Sequence, residues 1–506
     1  MKISLTEKNK EYAFLILLLC CSSFFLHANL GNQYLWQDEA ETALLSRTIL
    51  EHGVPLGYDG KNYFSQYPEK DRGKNYIWRY HPWFPFYLLS AFFYIFGINT
   101  FFARLPFALF GIATIILTYY FTKTLFKDKR VAGVAAFLLT VSVPFLILSR
   151  QCRYYSPTMF FSVLGLYSFI NVLEGKKKAS VVFVISSTLL FHCNYVSYAA
   201  LISTFFFYTL LLHRNNLRAV LLLLAIIILV NFPWIIWFAG SQFNTNEIDN
   251  TSVFNFAKFL KLNRVYISHV MKYLFHPFLL LCPIFIVGYR WKKSEPIFSK
   301  DIFAWKSLLL LVLFIFINLQ ILSIVAPLPF FRYLAPVIPV VYIIIAVIVV
   351  SMVNVHVVFG IGIIVILIYM GTLHKFIYEI THDYDGPIEG IVKFLKQNGN
   401  KDDLVAITYG DLPVKFYTNM RVIGGLTGED LSPAKEADWI IVRRYLICHK
   451  DRAVRKYLIE NIPWKNYQGI IIDYPDIPFE NRESPQFHRY KTEMKEQKVF
   501  ICRRIR

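Results

Sequence analysis

The feature that most limits what this chain can become is a series of apolar runs, each about long enough to carry a helix through a hydrocarbon core, with short charged clusters between them. Such runs stand at 12–28 and at about 104–125, 131–149, 156–173, 179–195, 197–212, 217–238, 271–289, 304–325, 333–352 and 355–373. In lipid every backbone N–H and C=O must find its partner within the protein, so continuous runs of this length are helices. A spanning barrel would alternate apolar and polar residues instead. With 56% hydrophobic and 17% charged residues, the chain is also more apolar than a soluble core can bury. The expected fold is an α-helical polytopic membrane protein with about eleven transmembrane helices. The first run follows a basic start, as a signal peptide does. It approaches full span length and no clear A-x-A site follows, so it reads as an uncleaved helix.

Trp83 to Gly97 is apolar too, but at about 15 residues it is short for a span, and the distribution of charge decides how to read it. Cytoplasmic loops collect Lys and Arg. If the N-terminus is inside and 83–97 lies in the interface, the clusters Lys127/Lys129/Arg130, Lys176–Lys178, His213/Arg214/Arg218 and Arg290–Lys293 all fall inside. If 83–97 crossed, every one of them would be outside. The interfacial reading places 29–103, 150–155, 239–270, 326–332 and the C-terminal tail on the external face of a cell (inner) membrane. The net charge of +19 is thus a matter of topology: it is scattered over loops and tail rather than gathered on a groove, and no nucleic-acid partner is expected.

From about residue 383 charges become frequent, and apolar runs shorten to strand length. Helices are expected at 388–395 and 452–460, and strands at 404–408, 439–442, 469–473 and 499–502, which make a small soluble α/β domain over 383–506 beside a membrane domain over 1–375. No Gly-rich phosphate loop occurs in it, so it reads as a packing or acceptor-docking unit. The seven cysteines show no metal-like spacing; Cys448 and Cys502 could pair if the tail is external.

Chemistry is best sought at Trp36-Gln37-Asp38-Glu39-Ala40, just after the first run. Two adjacent acids beside a membrane are expensive unless they are solvated or at work. Acids also favour the first turn of a helix, and 40–52, closed by Gly53, reads as an amphipathic one. Arg79-Tyr80-His81-Pro82 and Ala103-Arg104-Leu105-Pro106 flank the interfacial run, so acids, an imidazole and a guanidinium can meet in one membrane-level cleft suited to an amphiphile.

The order Trp36-Gln37-Asp38-Glu39, Gly53-Val54-Pro55, His81-Pro82, Gly97, Arg104-Leu105-Pro106 and Arg332-Tyr333-Leu334-Ala335-Pro336 resembles the bacterial relatives of protein O-mannosyltransferases and of the lipid A aminoarabinose transferase, over about residues 10–375. The resemblance implies a GT-C glycosyltransferase fold whose first external loop carries two juxtamembrane helices, here 40–52 and 83–97. It implies a polyprenyl-phosphate sugar donor, hexosyl or pentosyl, and transfer with inversion to a lipid, glycan or protein acceptor. Under it, Asp38 becomes the general base that takes the acceptor proton, and Glu39 orients it or binds acceptor. Arg332 grips the donor phosphate, with Arg104 and His81 as further phosphate contacts. Where several relatives carry an acid before the proline of the 149–157 loop, this chain has Ser156; Arg150 and Arg153 make that loop cationic and add to the phosphate-binding set. The cofactor is unknown: a divalent metal stays open, but His269 and His276 follow no ligand spacing. The alternative is a transporter or flippase of a lipid-linked saccharide, which would show interrupted helices and acids inside its spans. A ligase joining an oligosaccharide to lipid or protein would share the topology.

Overall fold

The computed structural model describes residues 7–66, 71, 73, 75–243, 255–293, 305–383, 386–444, 446, 448–476 and 498–505. Seven of its helices are long and apolar enough to cross a membrane: α1 (Glu7–His27), α4 (Thr100–Phe126), α7 (Tyr155–Leu173), α9 (Tyr195–Leu212), α10 (Leu217–Phe243), α13 (Trp305–Val325) and α14 (Val337–Val355). Three more spans are broken: α5 (Lys129–Thr140) with α6 (Val143–Ser149), bent by 63°; α11 (Phe256–Tyr273) with α12 (Leu281–Lys292), by 89°; and α15 (Val357–Met370) with α16 (Leu373–Thr381), by 50°. The short apolar α8 (Ala179–Phe191) is below that length and packs against α7; counted as a crossing, it brings the total to the expected eleven. Of the external segment expected at 239–270, residues 244–254 lie outside the described residues.

The expected continuous runs 131–149, 271–289 and 355–373 are therefore not straight helices. Each break has a local cause. Ser142 caps α6, with Pro144 in its first turn; Pro277 opens a 3₁₀ turn before α12; and Thr372, at φ 57°, stands in the left-handed region after Gly371. Apolarity alone does not reveal such breaks, because proline and glycine in lipid are tolerated wherever protein or a wet cavity receives the freed backbone. All three breaks line one cavity of about 300 Å³, between Val141-Ser142, Lys272–Leu274 with His276, and Gly371-Thr372.

Contacts between helix ends sort the loops onto two sides. At one end Glu11 pairs with Lys123 and Lys129, Arg130 donates to Asn354 at 3.1 Å, and Ser307 donates to the Leu125 carbonyl at 3.0 Å. At the other end the loop after α1 meets the 150–154 loop, Arg332 and the C-terminal sheet. The Lys127/Lys129/Arg130 cluster belongs to the first end.

The first loop contains α2 (Gln37–His52) and α3 (Phe84–Phe96), as expected. Helix α2 stops at Gly53, whose φ of 75° no side chain adopts cheaply and whose N–H closes on Ile49. Ala40, Ala43 and Leu44 of α2 share a buried cluster with Phe86, Leu89 and Phe93 of α3.

The C-terminal sheet has five strands, β1 (Leu404–Ile407), β2 (Arg421–Gly424), β3 (Trp439–Ile441), β4 (Tyr467–Pro475) and β5 (Lys498–Arg504), in the order β2-β1-β3-β5-β4. The first three are parallel; β5 runs antiparallel to β3 and β4. Alternation along β1 sends Val405 and Ile407 to one face, under α17 (Pro387–Asn398) and α18 (Asp411–Thr418), and Ala406 to the other, under α19 (His449–Asn461). The expected elements are present, while α18 and β2 went unread. Cys448 and Cys502 are not joined: the first caps α19 and the second is buried in β5.

With α8 and each bent pair counted as one crossing, an even number of crossings separates the first loop from the C-terminal sheet. Single cysteines at Lys177 and Lys129 should react with an impermeant reagent from one side of the membrane only, and cysteines at Asp59 and Arg421 from the opposite side only. Labelling of Asp59 and Arg421 from different sides would break the topology.

Candidate active site

The adjacent acids diverge. On a helix neighbouring side chains are about 100° apart, so Glu39 turns into the protein while Asp38 stays on the face that carries Glu41 and Thr42. Glu39 is wholly buried. It accepts Arg104 Nε at 2.8 Å and Nη2 at 2.6 Å, the Cys152 N–H at 2.7 Å and the Trp36 N–H at 3.3 Å. Arg104 spends its remaining donors on the carbonyls of Leu30, Gln33 and Tyr34, at 2.7–3.1 Å. The expected phosphate contact of Arg104 and the expected acceptor contact of Glu39 are not what this geometry provides: both side chains are consumed in a clamp joining α2, α4, the 30–34 turn and the 150–154 loop.

Arg150 likewise points elsewhere. Its guanidinium donates to the carbonyls of Phe25 at 2.9 Å and Ala28 at 2.8 Å, closing the C-terminal end of α1, where a cation is favoured.

Four of the expected residues do meet. Asp38 Oδ2 lies 3.3 Å from Arg332 Nη1 and 3.9 Å from Arg153 Nη2. Arg332 comes from the turn Phe331–Leu334 before α14, and its guanidinium sits over Phe330 and Trp36 at 4.4 and 5.5 Å from the ring centroids. Arg153 is buried, its Nη1 within 2.9–3.0 Å of the Asp38 carbonyl, Glu41 Oε1 and Thr42 Oγ1. His81 stands 3.8 Å from Glu41 by its Nδ1 and lies among Trp78, Tyr80 and Tyr154. Burial, reinforced by Arg153 and Arg332, pushes the imidazole well below its ordinary range and keeps it neutral.

Glu41 is the member that sequence reading missed. Burial pushes its carboxyl up to about 8, with Asp38 and Asp71 adding to the rise and Arg153 opposing it. The available signal was its i, i+3 spacing from Asp38, which puts both carboxyls on one helix face. Among the described residues no three His, Cys, Asp or Glu side chains converge as metal ligands do.

The C-terminal sheet roofs this loop. Tyr417 stacks on Tyr34 at 4.1 Å, receives the Leu35 N–H at 3.0 Å and bonds Thr100 at 2.7 Å. Gln37, beside Asp38, donates to the buried Asp411 at 2.8 Å. Asn62 accepts from the Val422 N–H and donates to the Met420 carbonyl, joining the edge of β2.

A polytopic helical bundle with two juxtamembrane helices and an acid–arginine cluster at one end is the arrangement that the resemblance to GT-C glycosyltransferases implies. Residues 80–237 match the family model of dolichyl-phosphate-mannose-protein mannosyltransferase, a stretch that contains His81, Arg104, Arg150 and Arg153 but neither Asp38 nor Arg332. Among solved structures, the chain is similar to ArnT from Cupriavidus metallidurans bound to undecaprenyl phosphate, with 12% identity and a TM-score of 0.61 over 97% of this chain and 98% of that one. It is also similar to the oligosaccharyltransferase AglB from Archaeoglobus fulgidus in complex with an inhibitory peptide and a dolichol-phosphate, with 12% identity and a TM-score of 0.58 over 87% of this chain and 70% of that one. No curated protein matches it in sequence.

Removing Arg104 strands a buried carboxylate. Arg104→Met should cost about 3–5 kcal/mol of stability, read as a large drop in the unfolding temperature of the purified protein. Adding Glu39→Gln should recover a substantial part; a double variant no more stable than the single one would contradict the clamp.

Proposed function

We propose that this chain is an enzyme that transfers a sugar from a polyprenyl-phosphate carrier to a hydroxyl of an envelope lipid, glycan or protein, at the external face of the inner membrane. The observation that carries the reading is the single carboxylate Asp38 held between two guanidinium groups at the start of a juxtamembrane helix. Solved structures of the same fold hold undecaprenyl phosphate or dolichol-phosphate, which supports a lipid phosphate as the donor's carrier.

The chemistry follows from charge. The acceptor oxygen attacks the anomeric carbon as the bond from that carbon to the phosphate oxygen breaks, with inversion. The acceptor proton passes to Asp38, and the electron pair leaves with the phosphate. Arg332 and Arg153 stand where charge develops on that leaving group, in a buried setting where each is worth more than in water. Asp38 in this reading sits where one carboxylate can receive a proton while cations answer the phosphate.

Orientation rests on the basic loops. Counted over the expected crossings they fall on the side opposite Asp38, where the contacts of Lys129 and Arg130 also lie, so the positive-inside rule puts the N-terminus in the cytoplasm and the sheet outside. Transport is the weaker reading despite three broken helices: among the described residues, the acids of the spanning helices, Glu7, Glu11 and Glu379, lie in terminal turns rather than along a crossing path.

With purified protein and a polyprenyl-phosphate sugar, Asp38→Asn should reduce transfer by at least about 100-fold while polyprenyl phosphate still binds. Undiminished transfer would reject Asp38 as base. Comparison of envelope glycolipids and glycans between a deletion strain and its parent should then reveal the acceptor as the species that loses one sugar.

A further inference from the structure

Among the buried acids near Asp38 that sugar transfer does not use, Glu41 shares a cation with Asp38 itself. Glu41 follows Asp38 by one helical turn, with only 6% of its side chain exposed. Its Oε1 is 3.0 Å from Arg153 Nη1, while Nη2 of the same guanidinium is 3.9 Å from Asp38. One cation thus serves two carboxyls. The groups that face Glu41 are Asp38 and Thr42 on α2, His81 and Asp71 from the loop between α2 and α3, and Arg153 from the loop between α6 and α7; Arg332 reaches Asp38 from the turn before α14. Asp71 is held by the Ser65 hydroxyl at 2.9 Å.

Charge is counted over Asp38, Glu41, Arg153 and Arg332. With Glu41 ionised the four cancel. With Glu41 protonated they carry one positive charge, and Arg153 is released from one of its two acids. His81 Nδ1 has no hydrogen-bond partner among the described residues and lies within a small rotation of Glu41, ready to accept a carboxylic O–H. We propose that Glu41 is a positioning residue whose protonation is coupled to occupancy of the site by the carrier phosphate: as the phosphate enters, Glu41 takes a proton from solvent and Arg153 turns its Nη1 hydrogen bond to the phosphate. The exchange operates at alkaline pH, where Glu41 is ionised in the empty site: when the phosphate departs there, the proton returns to solvent and the Arg153–Glu41 pair re-forms. The inference rests on reading the cluster as a carrier-phosphate site. Burial places the Glu41 proton in the exchangeable range, near pH 8, well above the second ionisation of a phosphate monoester at about pH 6.

The test is calorimetric titration of undecaprenyl phosphate, without sugar, into the full-length protein from pH 7 to 9, in two buffers of different ionisation heat. Wild type should take up close to one proton per phosphate at the alkaline end, and its Kd should weaken by up to about tenfold per pH unit above the Glu41 midpoint. Glu41→Gln should bind with no such uptake and with a flat Kd, and Glu41→Asp should restore the pH dependence. Uptake that persists in Glu41→Gln, or wild-type binding that ignores pH, overturns this inference alone. The wild-type measurement decides even if the variants do not fold. No binding at any pH overturns both the inference and the donor class proposed above.

Discussion

A buried ion pair, Glu39 with Arg104, fixes the relation of four separate parts of the chain, and the rest of the site is built against it. Taking two charges out of water costs several kcal/mol each, which is recovered only if the geometry satisfies every donor and acceptor. Here it does: the carboxylate receives four N–H groups and the guanidinium reaches three carbonyls besides. Such a clamp has no tolerance for partial formation. Because Glu39 receives the Cys152 amide, it also fixes Arg153, one residue on, at the height of Asp38 and Glu41. The position of Asp38 is therefore inherited from its buried neighbour Glu39.

Around this clamp the chain separates two demands. Below it, crossing helices satisfy their own backbones and pack through Leu, Ile, Phe and small residues. Above it, a polar loop has to be held rigid without a lipid environment to confine it. The C-terminal sheet supplies that rigidity through Tyr417, Asp411 and the edge of β2, all of which bond backbone or side chains of the first loop. Buried Lys415 ties the same helix down, donating to the Tyr63 carbonyl at 2.8 Å and pairing with Asp411 and Glu429. Positioning is thus shared between a membrane bundle and a soluble layer.

What could be read from the sequence follows the strength of the underlying constraint. The bilayer permits few solutions, so spans, interfacial helices and the grouping of basic loops were legible from apolarity and charge alone. Helix breaks were not, because Pro144, Pro277 and Gly371 are as compatible with a straight lipid-facing run as with a bend until a cavity is known to lie beside them. Four arginines looked alike in sequence. Arg153 and Arg332 face Asp38, while Arg104 and Arg150 hold carbonyls at chain turns, and only the distant partners tell them apart. Glu41 went unread because adjacency drew attention to Glu39, whereas on a helix the third residue along, not the next, shares the face. The strands of the sheet were legible from short β-branched runs; β2 and α18 were not, since Asp411 and Lys415 are buried charges that resemble a solvated surface.

The separation in sequence between the roof and the loop it covers bears on biosynthesis. Leu35 and Tyr417 are 382 residues apart, and Tyr34 and Glu389 are 355 apart. The loop that carries Asp38 leaves the ribosome early, yet its partners emerge only after the helices α4 to α16 have been made. Until then the loop lacks the contacts that Tyr417, Asp411 and β2 supply. A chain interrupted between α14 and α18 keeps Asp38, Glu41, Arg153 and Arg332 and lacks the segment that bonds the first loop from above. The order of synthesis therefore places the loop's covering contacts after the bundle that carries Arg153 and Arg332.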